Sequence, residues 1–405
     1  MLAPGAIISL PGVARIWGVL PEARVVGGAV RDMLAGREID DVDFAVPLSP
    51  DEIMARAKAA GVKFVPTGLA HGTVTLLAAG RGFEVTSLRR DIETDGRHAR
   101  VVFTDDWEVD AARRDFTINA MFCDQDGRIF DYFGGQADLT AGIVRFVGAA
   151  LTRITEDYLR ILRFFRFFAR YGRDEANAEA IAAITSSRAG LVGLSCERVW
   201  RETKRILQAP TPLTAIELMR SSGVLDMVLP SADVARLAAL LARGAPVDPL
   251  LRLAALTDED LAERLRLSKA EALMLAAWRA PFLLRPDDDD HELRRALADT
   301  PRAVLIGQTW LHGNDESGGM RLRARLISLK TPVFPLLGRD LVGLGIEAGP
   351  RLGGILTSVR RWWWEGGCVA DKAACLVQAA QIVRDMEKPN VIPGGVDADR
   401  YYSPL

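Results

Sequence analysis

Residues 25–46 read VVGGAVRDMLAGREIDDVDFAV. The hydrophobic pattern predicts one apolar strand, a turn at two glycines, a helix opening and a second apolar strand. Gly27 and Gly28 let backbone N–H groups approach a phosphate closely, and Arg31 can bind phosphate oxygens through two parallel hydrogen bonds. The segment therefore predicts a phosphate-binding turn. Taken alone, it also fits a tight strand-to-helix turn followed by a surface arginine.

Two carboxylates follow the glycine turn within the same segment. On a strand, residues two apart point to the same face, so Asp41 and Asp43 lie side by side while Val42 faces the core. A hard cation such as Mg²⁺ makes that pairing favourable, because it binds a few carboxylates and keeps positions for phosphate and water. An accidental Asp-x-Asp is the alternative. Glu84, on a predicted strand at 82–88, either completes the carboxylate set or faces solvent.

A second cluster of charged residues begins at Arg113 in the segment RRDFTINAM. Arg113 and Arg114 can neutralise a triphosphate, and Asp115 can accept a hydrogen bond from a ribose hydroxyl. Arg114 and Asp115 fit a surface ion pair equally well.

A third cluster, EDYLRILRFFRFFARYG, occupies residues 156–172. Its arginines are spaced by three, three and four, which places them on one helical face: Arg160, Arg163, Arg166 and Arg170. Glu156 and Asp157 precede Arg160 by about one turn and are expected to orient its guanidinium. An oriented Asp157–Arg160 pair can match the edge of a base, and basic residues outnumber acidic ones over 151–210. An ordinary salt-bridged helix is the alternative.

The composition excludes several classes of protein. The chain has 405 residues, and its hydrophobic content of 49% excludes a largely disordered protein. Its net charge of −2 gives no electrostatic reason to expect a nucleic-acid or membrane partner. We expect no export signal and no membrane span, since apolar runs of the required length are absent. Four scattered cysteines predict a reducing, cytoplasmic location: Cys123, Cys196, Cys368 and Cys375.

The hydrophobic period changes near residue 145, from strand-like runs to almost entirely helical patterns. Together with this change, the three clusters resemble, in order, motifs of the class II tRNA nucleotidyltransferase and poly(A) polymerase family. Two shorter segments add to the resemblance: DYFGG at 131–135 with Gly148 resembles a hinge motif, and SCER at 195–198 with Lys204 resembles a neck motif.

The resemblance implies an α+β fold related to DNA polymerase β. A nucleotidyltransferase head with a mixed sheet would occupy residues 1–148, followed by a helical neck (149–210), body (211–330) and tail (331–405). The neck would bind the base and RNA, and the tail would bind RNA.

The resemblance also implies roles for individual residues. Asp41 and Asp43 would hold catalytic Mg²⁺, while the triphosphate and sugar would contact Gly27, Gly28, Arg31, Arg114 and Asp115. Asp157 and Arg160 would bind the base edge, with Arg163 and Arg166 near the nucleotide or its phosphates.

The expected activity is addition of CCA to tRNA 3′ ends from CTP and ATP, with release of pyrophosphate. Residues 67–75 resemble the tRNA-directed branch of the family, and Arg89 to Thr104, with Asp95-Gly96-Arg97, resembles a flexible loop of full CCA-adding enzymes. An A-adding enzyme, a poly(A) polymerase and a non-catalytic RNA-binding relative are the alternatives.

Overall fold

A computed structural model describes residues 5–94, 99–173, 175–313 and 316–387. Its chain divides into two compact units, Met1–Ala272 and Leu273–Leu405, called here the first and second unit. This boundary falls within the predicted body (211–330), and the division into head, neck, body and tail stays a prediction. Within the described ranges, no helix is both long and apolar enough to cross a membrane.

A seven-stranded sheet forms the centre of the front third. Its strand order is β3-β4-β5-β2-β1-β8-β9, and β2 and β5 form its one parallel pair, so the sheet is mixed as predicted. The strands are β1 (Arg24–Val26), β2 (Asp43–Val46), β3 (Lys63–Gly68), β4 (Thr73–Ala78), β5 (Arg81–Ser87), β8 (Met121–Cys123) and β9 (Ile129–Asp131).

A separate two-stranded hairpin joins β6 (Arg89–Thr94) to β7 (Ala99–Phe103). Arg89 is opposite Phe103, and Arg90 is opposite Val102. The stretch that the sequence assigns to a loop is therefore an antiparallel ladder at both of its ends. Asp95-Gly96-Arg97 lies outside the described residues.

Short helices cover the sheet. The first turn of α4 is fixed by a capping box, in which Ser49 and Glu52 exchange hydrogen bonds around Pro50. One face of the sheet packs on a core that includes Trp17 and Phe44, whose rings meet edge to face at 5.6 Å. The helices of this part are α1 (Gly5–Ile8), α2 (Val13–Val19), α3 (Gly28–Leu34), α4 (Pro50–Ala59), α5 (Trp107–Ala112) and α6 (Gly135–Ala141).

The remainder of the first unit is helical, which confirms the predicted change near residue 145. Phe164 on α8 stacks on Phe146 at 6.0 Å and approaches Phe116 at 6.3 Å, so aromatic packing fixes α8 against the sheet-containing part. The helices are α7 (Ala150–Glu156), α8 (Leu159–Tyr171), α9 (Ala178–Ser187), α10 (Cys196–Leu207), α11 (Leu213–Ser221), α12 (Val224–Val228), α13 (Val234–Ala242) and α14 (Pro249–Leu256).

The later helices are α15 (Lys269–Arg279), α16 (Asp290–Asp299), α17 (Arg302–His312), α18 (Glu316–Ser328), α19 (Gly338–Val342), α20 (Pro350–Glu365) and α21 (Lys372–Glu387). The sequence pattern predicts one helix over 258–279, and its first half is wrong. Ser268 and Glu271 exchange hydrogen bonds at the start of α15, so the helix begins only there. The tryptophans at 362–364 lie on α20, where Trp363 is buried in the core of the second unit.

Candidate functional site

The glycine turn connects β1 to α3 as the sequence predicts. Gly27 has φ 69°, a left-handed conformation that favours glycine, and its N–H donates to the Met121 carbonyl at 3.2 Å. A Cβ at Gly27 would lie 3.6 Å from Nη1 of Arg114. The Arg114 guanidinium therefore lies close against the backbone of the glycine turn.

Arg31 is buried, so the alternative of a surface arginine is wrong. Its Nη1 donates to Oδ1 of Asn119 at 2.5 Å, and it forms an ion pair with Asp32 at 3.0 Å. The guanidinium also lies over the rings of Phe167 and Tyr171, at 5.0 and 4.6 Å. Arg31 therefore connects the glycine turn to α8.

The two carboxylates lie at the start of β2. Asp41 precedes the strand and Asp43 begins it, with buried Val42 between them. Both aspartates reach solvent, but protein atoms crowd the Asp43 carboxylate and partly desolvate it. Desolvation, followed by the charges of Glu84 and Asp41, raises the pKa of Asp43 to about 6, although Arg114 acts in the opposite direction. Negative charge is therefore concentrated around Asp43.

This concentration of charge fits a divalent cation, which would relieve the repulsion. Across the described ranges, no group of three or more His, Cys, Asp or Glu side chains is arranged to hold a metal ion. Glu84, on the neighbouring strand β5, adds negative charge at Asp43.

Arg114 and Asp115 do not form the surface ion pair that the sequence leaves open. Arg114 pairs with Asp110 at 2.9 Å, and Arg113 pairs with the same carboxylate at 2.8 Å. Burial alone would raise the pKa of Asp110, but the charges of Arg114 and Arg113 outweigh it and hold that pKa below its usual range. Asp110 also accepts a hydrogen bond from the Arg89 backbone N–H at 3.2 Å.

Asp115 faces α8 instead. Arg163 donates to it through Nε at 2.7 Å and also through Nη2, and Asn119 donates to it at 3.0 Å. Burial alone would raise the pKa of Asp115, but the Arg163 charge and these hydrogen bonds lower it. A buried ion pair therefore connects the second charged cluster to the third.

The start of α8 differs from the prediction in its pairing. Glu156 accepts from Arg160 at 2.5 Å as expected, whereas Asp157 accepts from Arg198 on α10 at 2.8 Å and does not orient Arg160. Spacing within one helix cannot reveal a partner 41 positions away. Asp157 and Arg160 still line the same cleft.

Arg166 lies one turn after Arg163 on α8 and pairs with buried Glu202 at 2.9 Å. Desolvation lowers its pKa to about 10, against the opposing effect of Glu202. The guanidinium remains charged at neutral pH and lies 4.3 Å from the centre of the Phe167 ring.

These side chains converge on one open cleft of about 530 Å³. The residues to which the resemblance assigns roles line it, except Asp41, and so does Arg113. Asn119, Phe167 and Arg198 line it without having been predicted as site residues. Seven arginines and three aspartates line it, so guanidinium donors dominate its wall and suit a polyphosphate. The arginines are Arg31, Arg113, Arg114, Arg160, Arg163, Arg166 and Arg198.

Two stretches of the chain match known protein families. Residues 23–145 match the poly A polymerase head domain, and residues 177–236 match a family described as a probable RNA and SrmB-binding site of polymerase A. The first match contains the glycine turn, both carboxylates and Arg114.

Curated proteins that match most of the chain are also found. The chain is 38% identical over 360 residues to the CCA tRNA nucleotidyltransferase 1, mitochondrial, of Danio rerio, covering 84% of this chain and 83% of that protein. It is 32% identical over 357 residues to the CCA-adding enzyme of Levilactobacillus brevis, covering 83% and 87%. The fold is similar to the crystal structure of the Bacillus stearothermophilus CCA-adding enzyme in complex with CTP, with a TM-score of 0.71, 26% identity and coverage of 96% and 100%.

Proposed function

The chain belongs to the CCA tRNA nucleotidyltransferase family, and we propose that it adds C, C and A to the 3′ ends of tRNA from CTP and ATP. The observation that carries the proposal is the arginine-lined cleft with a carboxylate pair at its edge. Such a cleft binds a nucleoside triphosphate, and the carboxylates are placed to serve the reaction at its phosphates.

We propose that the lining arginines bind and orient the triphosphate. Arg114 is held by Asp110 close to the backbone of the Gly27 turn, so it can donate to phosphate oxygens bound at that turn without a large movement. Arg31 has a fixed position because Asn119 and Asp32 hold it. Asp115 is assigned to the sugar side, with Arg163 holding it ionised as a hydrogen-bond acceptor.

Asp41 and Asp43 are assigned as the ligands of Mg²⁺. When bound, the cation would lower the pKa of the RNA 3′-hydroxyl and offset the charge of the leaving pyrophosphate. The carboxylates contribute a fixed negative pair, and Arg114 limits the repulsion between them. No side-chain nucleophile is needed, since the hydroxyl of the RNA attacks the α-phosphate.

Asp157 and Arg160 are assigned to the edge of the base, with Arg166 nearby on the same helix. Asp157 presents a carboxylate fixed by Arg198, and Arg160 a guanidinium fixed by Glu156. Acceptor and donor groups held in this way can discriminate cytosine and adenine from guanine and uracil. The protein then selects the nucleotide without a nucleic-acid template.

The finer organisation and the location of the protein are also proposals. The match to a polymerase head over 23–145 supports a head at 1–148, followed by neck, body and tail as predicted.

We assign the protein to the cytoplasm because its four cysteines are free thiols in the structure. Cell fractionation with an antibody to this chain tests the location.

The test of the metal assignment is Asp41→Ala, measured as CMP incorporation into a tRNA transcript lacking CCA. Incorporation is expected to fall by at least about a thousandfold without any loss of thermal stability, because Asp41 is exposed and contributes to the site rather than to the core. Asp40→Ala is the matched control, since it removes a neighbouring exposed carboxylate. Full activity of Asp41→Ala would overturn the assignment.

A further inference from the structure

A second arginine-lined pocket, of about 630 Å³, lies at the far end of α8 from Asp157. Three arginines line it, and two polar residues of α6 face them: Arg37, Arg170, Arg173, Gln136 and Thr140. Arg170 and Arg173 are exposed, and Arg37 is half-buried. The activity proposed above uses none of these three arginines.

The charge of this pocket is uncompensated within the described residues. None of the three arginines forms an ion pair there with an aspartate or glutamate. Asp32, which contacts the lining residue Tyr171, is already engaged by Arg31 and by the Tyr171 hydroxyl. Three like charges around one cavity repel, and an anion between them reverses that cost.

A third cavity lies between the second pocket and the nucleotide cleft and shares lining residues with both. That cavity, of about 310 Å³, shares Arg31, Arg166 and Phe167 with the cleft, and shares Arg170 and Tyr171 with the second pocket. Arginines therefore follow one another along α8 from the assigned triphosphate site to the second pocket. A phosphate group bound beside Arg31 therefore has further arginines, Arg166 and Arg170, between it and the second pocket.

The geometry of the second pocket is partly fixed by the backbone. Arg37 donates through Nη2 to the Arg170 carbonyl at 2.7 Å and lies 4.9 Å from the centre of the Tyr171 ring. The Arg173 N–H donates to the Gly142 carbonyl at 2.9 Å. Arg37 is thus fixed through its guanidinium and Arg173 through its backbone, and both line the same space as Arg170.

We propose that Arg37, Arg170 and Arg173 form a second phosphate-binding site that receives a phosphate group of the reaction's own substrates or products. Two sources share this chemistry: the pyrophosphate released in the cleft and a backbone phosphate of the RNA. The proposal rests on the proposed function for these sources, whereas the affinity of the pocket for a phosphate group is independent of it.

The test compares the double variant Arg170→Gln/Arg173→Gln with the wild-type chain. The charge-matched control is Arg201→Gln/Arg220→Gln, which removes two exposed arginines that line none of these cavities. CMP incorporation into a tRNA transcript lacking CCA is measured with added pyrophosphate, to give the pyrophosphate inhibition constant and the KM values for CTP and for tRNA.

If pyrophosphate occupies the site, its inhibition constant rises about tenfold in the double variant, with the KM for CTP unchanged, because two charge-assisted contacts are lost. If RNA occupies it, the KM for tRNA rises about tenfold instead. Calorimetric titration of inorganic pyrophosphate into each protein measures binding without turnover. Thermal unfolding separates these effects from a loss of helix-end stabilisation by the arginines.

The site would be overturned if the double variant and the control had the same pyrophosphate inhibition constant, the same KM for tRNA and the same calorimetric affinity for pyrophosphate. A lower unfolding temperature of the double variant would not rescue it. Failure of the proposed function gives a different result, since the wild-type chain would then incorporate no nucleotide. The pyrophosphate titration still decides for or against the pocket in that case.

Discussion

The surroundings of Asp43 disfavour the ionised form of its carboxyl group. Desolvation and the charges of Glu84 and Asp41 raise its pKa, while the protein contributes only Arg114 to balance them. Binding sites often retain such local instability, because the ligand supplies the missing charge. Here the missing charge matches a divalent cation.

Asp43→Asn is therefore expected to stabilise the protein and to inactivate it. In chelator at pH 8, the variant should unfold at a temperature higher by about 2 °C, because a repelling carboxylate becomes a neutral isostere. Incorporation of CMP should be lost. The measurement is thermal unfolding with and without Mg²⁺, with Asp40→Asn as control. A lower unfolding temperature for Asp43→Asn in chelator would contradict this account of the charge.

Asp157 tests the selection of the nucleotide. Asp157→Ala removes the acceptor and releases Arg198, so incorporation from CTP and ATP should fall by about a hundredfold and that from UTP or GTP should rise relative to it. The measurement is single-nucleotide incorporation with each of the four triphosphates. Asp226→Ala, an exposed aspartate on α12, is the control. Unchanged preference for CTP and ATP would exclude Asp157 from base selection.

At this scale, the sequence predicted which residues line the cleft better than it predicted their partners. Gly27, Arg114 and Asp157 were found through local motifs, and all three line the cleft. The Asp157–Arg198 and Asp115–Arg163 pairs connect positions 41 and 48 apart, which spacing within one segment does not encode. Arg198 was visible only as part of a neck motif.

Among the elements, α5 and β6 are connected through one buried carboxylate. Asp110 holds Arg113 and Arg114 through its oxygens and accepts the backbone N–H of Arg89, where the β6–β7 hairpin begins. The hairpin and the cleft arginines therefore share one anchor. A change at Asp110 should affect the affinity of the cleft for nucleotides and the stability of the fold together.

Asp110→Asn is expected to lower the free energy of unfolding by about 3 kcal/mol at pH 7, because it leaves two guanidinium groups without their buried partner. The KM for CTP should rise, since Arg114 loses its orientation. Urea unfolding and steady-state kinetics measure the two effects. Asp105→Asn, which alters an exposed aspartate on the same segment, should do neither.

The same carboxylate determines a pH dependence. The pKa of Asp110 lies below its usual range in the folded state, so the pair stabilises fully above the ordinary aspartate pKa of 3.8 and is lost as pH falls through the folded value. The difference in unfolding free energy between wild type and Asp110→Asn should therefore be constant from pH 5 to 8 and shrink below about pH 4. A difference that persists unchanged at pH 2.5 would contradict the ion-pair explanation.

The pattern of helices and strands was predicted best where periodicity is strong. The arginine and phenylalanine spacing located α8, and the strand-like runs located β4 and β5. The helix predicted over 258–279 failed in its first half because the signal that starts α15 is the Ser268–Glu271 capping box, which the longer charged and apolar pattern concealed.

For the whole molecule, the change of period near residue 145 predicted strands followed by helices, and the family resemblance implied an α+β fold with a mixed sheet. It did not predict the strand order, because β2 and β5 pair in parallel across a long separation, with Phe44 opposite Val85. That pairing brings Glu84 beside Asp43. The family resemblance supplied the catalytic roles, and the fold supplied the contacts that make them physically reasonable.

The central claim is template-independent addition of CCA, and extension of two tRNA transcripts tests it most directly. One transcript lacks CCA and the other ends in CC, and each is incubated with the protein, Mg²⁺ and CTP, ATP or both. The account predicts that the first transcript gains three nucleotides only when both triphosphates are present, and that the second gains a single A. Extension of the second alone would indicate an A-adding enzyme, long A tails a poly(A) polymerase, and no extension of either a non-catalytic RNA-binding protein, each of which would contradict the account.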